Sequence, residues 1–250
     1  LAGQTAVYGV GIVVPRLLNY IILTPFYTRE FTTSEYGIIT ELYAYVVFLI
    51  VILTYGMETG FFRYSDRSED RDSVYKTALV SLAFTSVLFI GTVFLFIDPI
   101  SRAMQYGQQS SFIQLLALIV ALDAFTSIPF AQIRLKNQAL RYTLIRIVEV
   151  SVNVGANLFF LVYCDNHYAE NEWIQSIYNP DIKVIYVLIS NLMATSAKTL
   201  LLTPEIFGRK GYFQLPVLRK LLSYSLPLLV AGLAGTVNEA IDRVLLRRLI

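Results

Sequence analysis

Charge is scarce in this sequence. Only 15% of its 250 residues are Asp, Glu, Lys or Arg, against about 25% in a typical soluble domain. A single cysteine, Cys164, excludes an intramolecular disulfide and a cysteine-based metal site. The one histidine, His167, has no carboxylate or cysteine partner at ligand spacing and reads as a surface residue. There is no P-loop, no glycine-rich nucleotide fingerprint and no HExxH. No nucleic-acid module is present either. These gaps predict a protein without catalytic residues, metal or cofactor, and without a nucleic-acid partner. A cleavable signal peptide is also excluded, because the first apolar segment is too long and no small-residue cleavage site precedes a soluble domain.

What the chain has instead is apolar length. Hydrophobic residues make up 56% of it, and they cluster in blocks of about 20, the number needed to cross a bilayer as helix. The pattern predicts an all-α, polytopic membrane protein. Seven spans are expected at 4–28, 37–61, 75–97, 111–133, 143–164, 183–205 and 224–248, six complete and a seventh with no helix after it. Lysine and arginine orient them. Arg63, Arg67, Arg71 and Lys76 follow span two, Arg134, Lys136, Arg141 and Arg146 follow span four, and Arg209, Lys210, Arg219 and Lys220 follow span six. The opposite loops hold only Arg29 and Arg102, and the 164–182 loop carries Asp165, Glu170, Glu172 and Asp181 with no Lys or Arg. The N-terminus is therefore placed in the cytoplasm, and the 164–182 loop outside as a solvated interfacial loop. The 63–76 loop, with four basic and four acidic residues, is expected to form a short amphipathic or turn element.

Ionisable groups inside spans point to function, because they face a bundle interior or a watery cavity. The first span, TAVYGVGIVVPRLLNYIILTPFYTR, has Pro15-Arg16 at its centre and Asn19 one turn later. An arginine at that depth costs about 2.5–3.5 kcal/mol on the insertion scale, and the proline frees backbone groups that neighbours must satisfy. Two readings fit Arg16: a cationic anchor for an anionic substrate, or a structural ion pair with Asp123, which lies at similar depth in span four. Asp123 could instead take up a coupling proton or sodium ion. In span five Glu149, Asn153 and Asn157 recur at i, i+4, i+8 and form one polar stripe. The stripe fits both interhelical hydrogen bonding and the wall of a hydrophilic cavity. Glu41 and Glu58 of span two read as interfacial, and Lys198 of span six as snorkelling. In span seven Pro227, Gly232 and Gly235 permit bending, and Asn238, Glu239, Asp242 and Arg243 cluster over two turns.

An offset of 223 lays Leu18–Leu23 over Ile241–Leu246. Such weak repeats are common in secondary transporters, whose substrate lies between the halves. The expectation is a six-helix bundle over 1–222 and the first helix of a second, truncated bundle over 223–250. With a start at Leu1 and a stop at Ile250 in an apolar segment, the chain reads as the front part of a longer polypeptide, about twice that offset in length.

Several stretches carry a resemblance. They are Pro15-Arg16 with Thr28-Arg29, Glu35-Tyr36-Gly37, Gly56-Met57-Glu58 through Phe62-Arg63, Ile128-Pro129 with Arg134, and Ser225-Leu226-Pro227 with Asp242-Arg243. In these the whole chain resembles bacterial polysaccharide flippases, the O-antigen and capsule lipid-linked oligosaccharide translocases of the multidrug/oligosaccharidyl-lipid/polysaccharide exporter superfamily. The resemblance implies two helical bundles around a central cavity in the bacterial inner membrane. It implies alternating-access translocation of an undecaprenyl-diphosphate-linked oligosaccharide, with membrane lipids and polysaccharide-assembly proteins as partners. Arg16 matches the first-helix position implied to meet the diphosphate. The other substrate-cavity candidates are Asn19, Glu149, Asn153, Asn157, Asp242 and Arg243, with Asp123 for ion coupling or pairing. Of these, Asp123, Glu149, Asn153 and Asn157 rest on depth and periodicity alone. A cation-coupled multidrug exporter of the same superfamily is the second reading. A membrane-embedded sugar polymerase or acyltransferase is the third, and it lacks the basic outer loop or intramembrane histidine that such chemistry would use.

Overall fold

The protein is described from a computed structural model, which covers residues 9–11, 13–14, 17–66, 70–107, 109–208 and 210–249, with the backbone alone at 19, 20 and 235–249. Among the described residues the structure is helical and has no strand. Among the described residues six helices are long and apolar enough to cross a membrane, and the chain is a multi-pass membrane protein. The first span, described in part, is helical at residues 9–11, 13–14 and 17–18, with a π-helical turn over Asn19–Leu23 and an α-helical end over Thr24–Glu30. It meets the fifth span at backbone distance: a Cβ on Gly11 would stand 2.5 Å from Thr143 Oγ1.

The second span starts where the sequence supplies a capping box. Thr32 accepts from the Glu35 backbone, and the Glu35 carboxylate accepts from the Thr32 N–H at 2.9 Å, so two orphan donors of the first turn are satisfied together. One continuous helix over 37–61 is not what forms. Thr33–Thr54 ends at Tyr55 and Gly56, both left-handed with φ of 36° and 68°, and a separate helix, Met57–Ser65, follows. The break re-aims this end of the span toward the seventh helix. There Gly56 and Gly60 lie against Ser225, where a Cβ would come within 2.8 Å of its carbonyl oxygen and 2.4 Å of its hydroxyl oxygen respectively. The 63–76 loop accordingly begins in helix and ends in it, with Asp70 capping the third span through the Ser73 N–H at 3.0 Å. Hydrogen bonds from Ser73 hold the Asp70 carboxyl below the usual carboxylate range.

The third span is Arg71–Leu95, followed by a short outer helix, Ile97–Ala103. The fourth, Ser110–Leu135, is the core of the bundle: Ala117, Ile119, Val120, Ala124 and Ile128 are fully enclosed. The small residues among them let neighbouring helices approach closely. The fifth span, Ala139–Leu158, continues through a π-helical stretch, Phe159–Cys164, to His167.

The 164–182 segment is more ordered than a solvated loop. Short helices at Glu172–Ile177 and Pro180–Ile182 are capped by Asn171 and Asn179. Ile174 and Tyr178 are buried beneath them, and Asp165 pairs with Lys183 at 2.6 Å. The sixth span is Val184–Leu201, followed by Thr203–Phe207. The last helix, Leu215–Leu249, starts earlier than the apolar pattern implies, so the expected boundary at 222/223 falls inside one continuous helix.

Candidate functional site

Spans four, five and six bring four charged side chains into one chain of contacts. Lys198 comes from the sixth span and is almost wholly buried, with its side chain 4% exposed. Its Nζ pairs with Asp123 of the fourth span and, at 2.8 Å, with Glu149 of the fifth. The other oxygen of Glu149 accepts from Arg146 Nη1 at 2.9 Å. Arg146 lies over the Phe130 ring, 4.5 Å from its centroid. Cations and carboxylates alternate as Arg146, Glu149, Lys198, Asp123, and the four charges cancel. Thr195, one turn before Lys198, donates to Asp123 at 3.3 Å. One turn earlier again, Asn191 donates to Tyr43 of the second span at 3.1 Å.

Cancellation is what makes such a group tolerable in hydrocarbon. A lone buried ion carries a desolvation penalty of several kcal/mol, offset only by close partners and full hydrogen bonding. The spacing on span six supplies them: Asn191, Thr195 and Lys198 stand at i, i+4 and i+7 and share one face.

The stripe on span five divides between two networks. Glu149 belongs to the ionic one. Asn157, fully buried, accepts from Tyr27 Oη of the first span at 2.8 Å and donates to the Asn153 backbone and side-chain oxygens at 2.8 and 3.1 Å. Removing the phenol with Tyr27→Phe leaves a buried amide oxygen without its donor. That variant is expected to lose about 1 kcal/mol, seen as a lower melting temperature of the detergent-solubilised protein.

Two glutamates read as interfacial are partnered instead. Glu41 is buried and accepts from Tyr106 Oη at 2.7 Å and from Tyr45 Oη at 3.2 Å. Burial pushes the Tyr106 phenol above its ordinary value. Glu58 pairs with Arg134, whose guanidinium lies 5.2 Å from the Phe62 centroid. Lys198 likewise does not snorkel: its side chain is buried and paired with two carboxylates within the bundle. Arg141 grips Glu205 with two nitrogens at 2.7 and 2.8 Å, and Tyr75 donates to the Glu205 carbonyl at 2.8 Å.

Arg16 lies outside the described residues, so the expected Arg16–Asp123 pair is not described; the partner seen on Asp123 is Lys198. Asn19 lies in the π-helical turn and Asp242 and Arg243 in the last helix, all three by backbone alone. An apolar cleft of about 210 Å³ between spans three and four, lined by Ala83, Ser86, Val87, Ile90, Ala121, Leu122 and Phe125, contains none of these residues. Sequence reasoning missed Tyr43, Asn191 and Thr195. The i, i+4, i+7 spacing of Asn191, Thr195 and Lys198 was the signal that could have found the sixth-span face.

A family model described as polysaccharide biosynthesis protein matches residues 1–250. No curated protein matches the chain. Among solved structures, it is similar to an outward-facing multidrug resistance MATE family transporter of the MOP superfamily. The TM-score is 0.63 at 15% identity, over 92% of this chain and 53% of that one. An inward-facing transporter of that kind gives a TM-score of 0.60 at 15% identity, over 94% and 51%. A MOP superfamily transporter from Pyrococcus furiosus, described as having a binding pocket of reversed polarity, gives 0.57 at 14% identity, over 92% and 53%. At these identities the likeness is one of fold, and the chain spans about half the length of each.

Proposed function

The chain belongs to the polysaccharide biosynthesis protein family, and from that premise we propose that it works in a transporter that moves an undecaprenyl-diphosphate-linked oligosaccharide across the bacterial inner membrane by alternating access. The observation that carries this reading is the charge-balanced network of Arg146, Glu149, Lys198 and Asp123 among three membrane-spanning helices. Lipid packing has no use for it, whereas a bundle that must present polar walls to a headgroup does. In this reading residues 1–222 form one bundle and 223–250 open a second. Arg16, Asn19, Asn153, Asn157, Asp242 and Arg243 face the headgroup path, with Glu149 at its edge. The diphosphate falls to Arg16, because Lys198 is already held by two carboxylates. A guanidinium suits that role, since it stays charged and bonds phosphate oxygens in pairs. The polyprenyl tail stays in lipid, and no bond is made or broken, so no catalytic residue or cofactor is needed. Polysaccharide-assembly proteins are the expected partners.

Asp123 offers a route to coupling. A proton or sodium ion arriving there competes with the Lys198 ammonium and loosens spans four and six. The same feature favours the second reading, a cation-coupled multidrug exporter, and the MATE-like fold supports that alternative too. Arg16→Ala in the full-length gene is expected to cut surface polysaccharide at least tenfold at unchanged protein level, with partial retention in Arg16→Lys. Wild-type polysaccharide from Arg16→Ala would rule the anchor out.

A further inference from the structure

Lys198 is a buried charge with no part in holding the headgroup, and the way it is held is informative. Its ammonium meets carboxylate oxygens from two other spans, Asp123 Oδ1 of the fourth and, at 2.8 Å, Glu149 Oε1 of the fifth. Thr195 turns its hydroxyl into the same cluster. It lies 3.3 Å from Asp123 Oδ1, the very oxygen that Lys198 contacts, and 3.5 Å from Asn191 Oδ1. Oxygen ligands of this kind, carboxylates above all, are what proteins use to hold hard metal cations. Here the positive charge among them is supplied by the chain itself.

The charge balance sets the kind of cation. Arg146 stays on the far oxygen of Glu149. Apart from Lys198, the network therefore holds two carboxylates and one guanidinium, a single net negative charge. One monovalent cation brings it to neutrality, and a divalent ion would leave an excess positive charge in hydrocarbon, where an uncompensated ion carries a penalty of several kcal/mol. Lysine suits the part, being a compact point charge with three donors on a flexible stem. Its stem is also fixed to a helix of the same cluster, one turn from Thr195. A tethered group competes at an effective concentration set by its linker, so the ammonium holds this place against free ions in solution.

We propose that Asp123, Glu149 and Thr195 form a monovalent-cation site and that the Lys198 ammonium is its tethered occupant. The bundle carries its own cation and clamps spans four, five and six without drawing one from solution. The consequence for coupling rests on the transport reading: a coupling ion acts at this site by taking the place of the ammonium, not by entering a vacant pocket.

The test uses the full-length protein in detergent, melted at constant ionic strength while choline chloride is replaced by sodium or potassium chloride. Lys198→Ala removes the occupant and leaves its room. It is expected to melt about 5 °C or more higher in at least one of the alkali chlorides than in choline chloride, while the wild type does not shift. Lys198→Ser is the second variant and is expected to behave as Lys198→Ala does. Adding Asp123→Asn to Lys198→Ala is expected to abolish the shift, because the network is then neutral without an ion. Equal melting of Lys198→Ala and Lys198→Ser in all three salts, a shift that survives Asp123→Asn, or an equal shift in the wild type would each overturn the proposal. Aggregation of both single variants in every salt would overturn it too, since a dissolved ion would then be unable to replace the ammonium. The melting measurement involves no substrate, so it stands or fails apart from the transport reading.

Discussion

Lys198→Met is expected to destabilise the protein by about 3–5 kcal/mol, the usual consequence of removing one partner from a buried ionic group. The reason is specific to this network. Lys198 is the cation between Asp123 and Glu149. Without it, Asp123 keeps only the Thr195 hydroxyl among the contacts described, and Glu149 keeps Arg146. A network that summed to zero then carries one uncompensated negative charge in the membrane. Adding Asp123→Asn returns the sum to zero with the Arg146–Glu149 pair intact, so the double variant is expected to recover most of the loss. Melting temperature and monodisperse yield in detergent read both effects. A double variant no better than Lys198→Met would show that packing, not charge balance, dominates at this site.

Gly56→Val is expected to be comparably severe, through the backbone. Gly56 has φ of 68°, and a non-glycine residue held in that left-handed region costs about 1–2 kcal/mol. Its Cβ would also stand 2.8 Å from the Ser225 carbonyl oxygen. That atom belongs to the backbone of a helix and cannot swing away, so overpacking adds about 1–3 kcal/mol. Gly37 is the internal comparison. It lies in the same span, with nothing within 4 Å of a Cβ built on it. Gly37→Ala is expected to be neutral or to stabilise by up to about 1 kcal/mol through helix propensity. Equal melting temperatures for Gly56→Val and Gly37→Ala would contradict the close contact between spans two and seven.

The same two sites show what a sequence of this kind discloses. Span number and order are legible because each apolar block must satisfy its own backbone in lipid, and arginine and lysine then orient the blocks. The break after Thr54 is not legible. Tyr55 is no turn signal, and Gly56 reads equally well as a small packing residue; only contact with Ser225, 169 positions away, demands the left-handed pair. The outer segment hid its order for a similar reason, since Ile174 and Tyr178 look like stray apolar residues until Asn171 and Asn179 cap the helices beneath which they pack. Depth in the membrane marks Asp123 as needing a partner or a proton, but depth alone does not name Lys198. Lys198 stands close enough to the end of its span to be explained by its own length. Its role emerges from the face it shares with Thr195 and Asn191. Charged residues near span ends therefore merit a check for polar neighbours at i−3, i−4 and i−7 before snorkelling is assigned.

In the function proposed above, the chain works in a machine for lipid-linked sugars. The most direct measurement reconstitutes the full-length protein in liposomes with a fluorescent polyprenyl-diphosphate oligosaccharide and follows its arrival in the opposite leaflet. The account predicts protein-dependent translocation that is lost in Arg16→Ala and partly kept in Arg16→Lys. No translocation of this lipid by a folded protein that instead drives cation-dependent efflux of an amphipathic drug would contradict it.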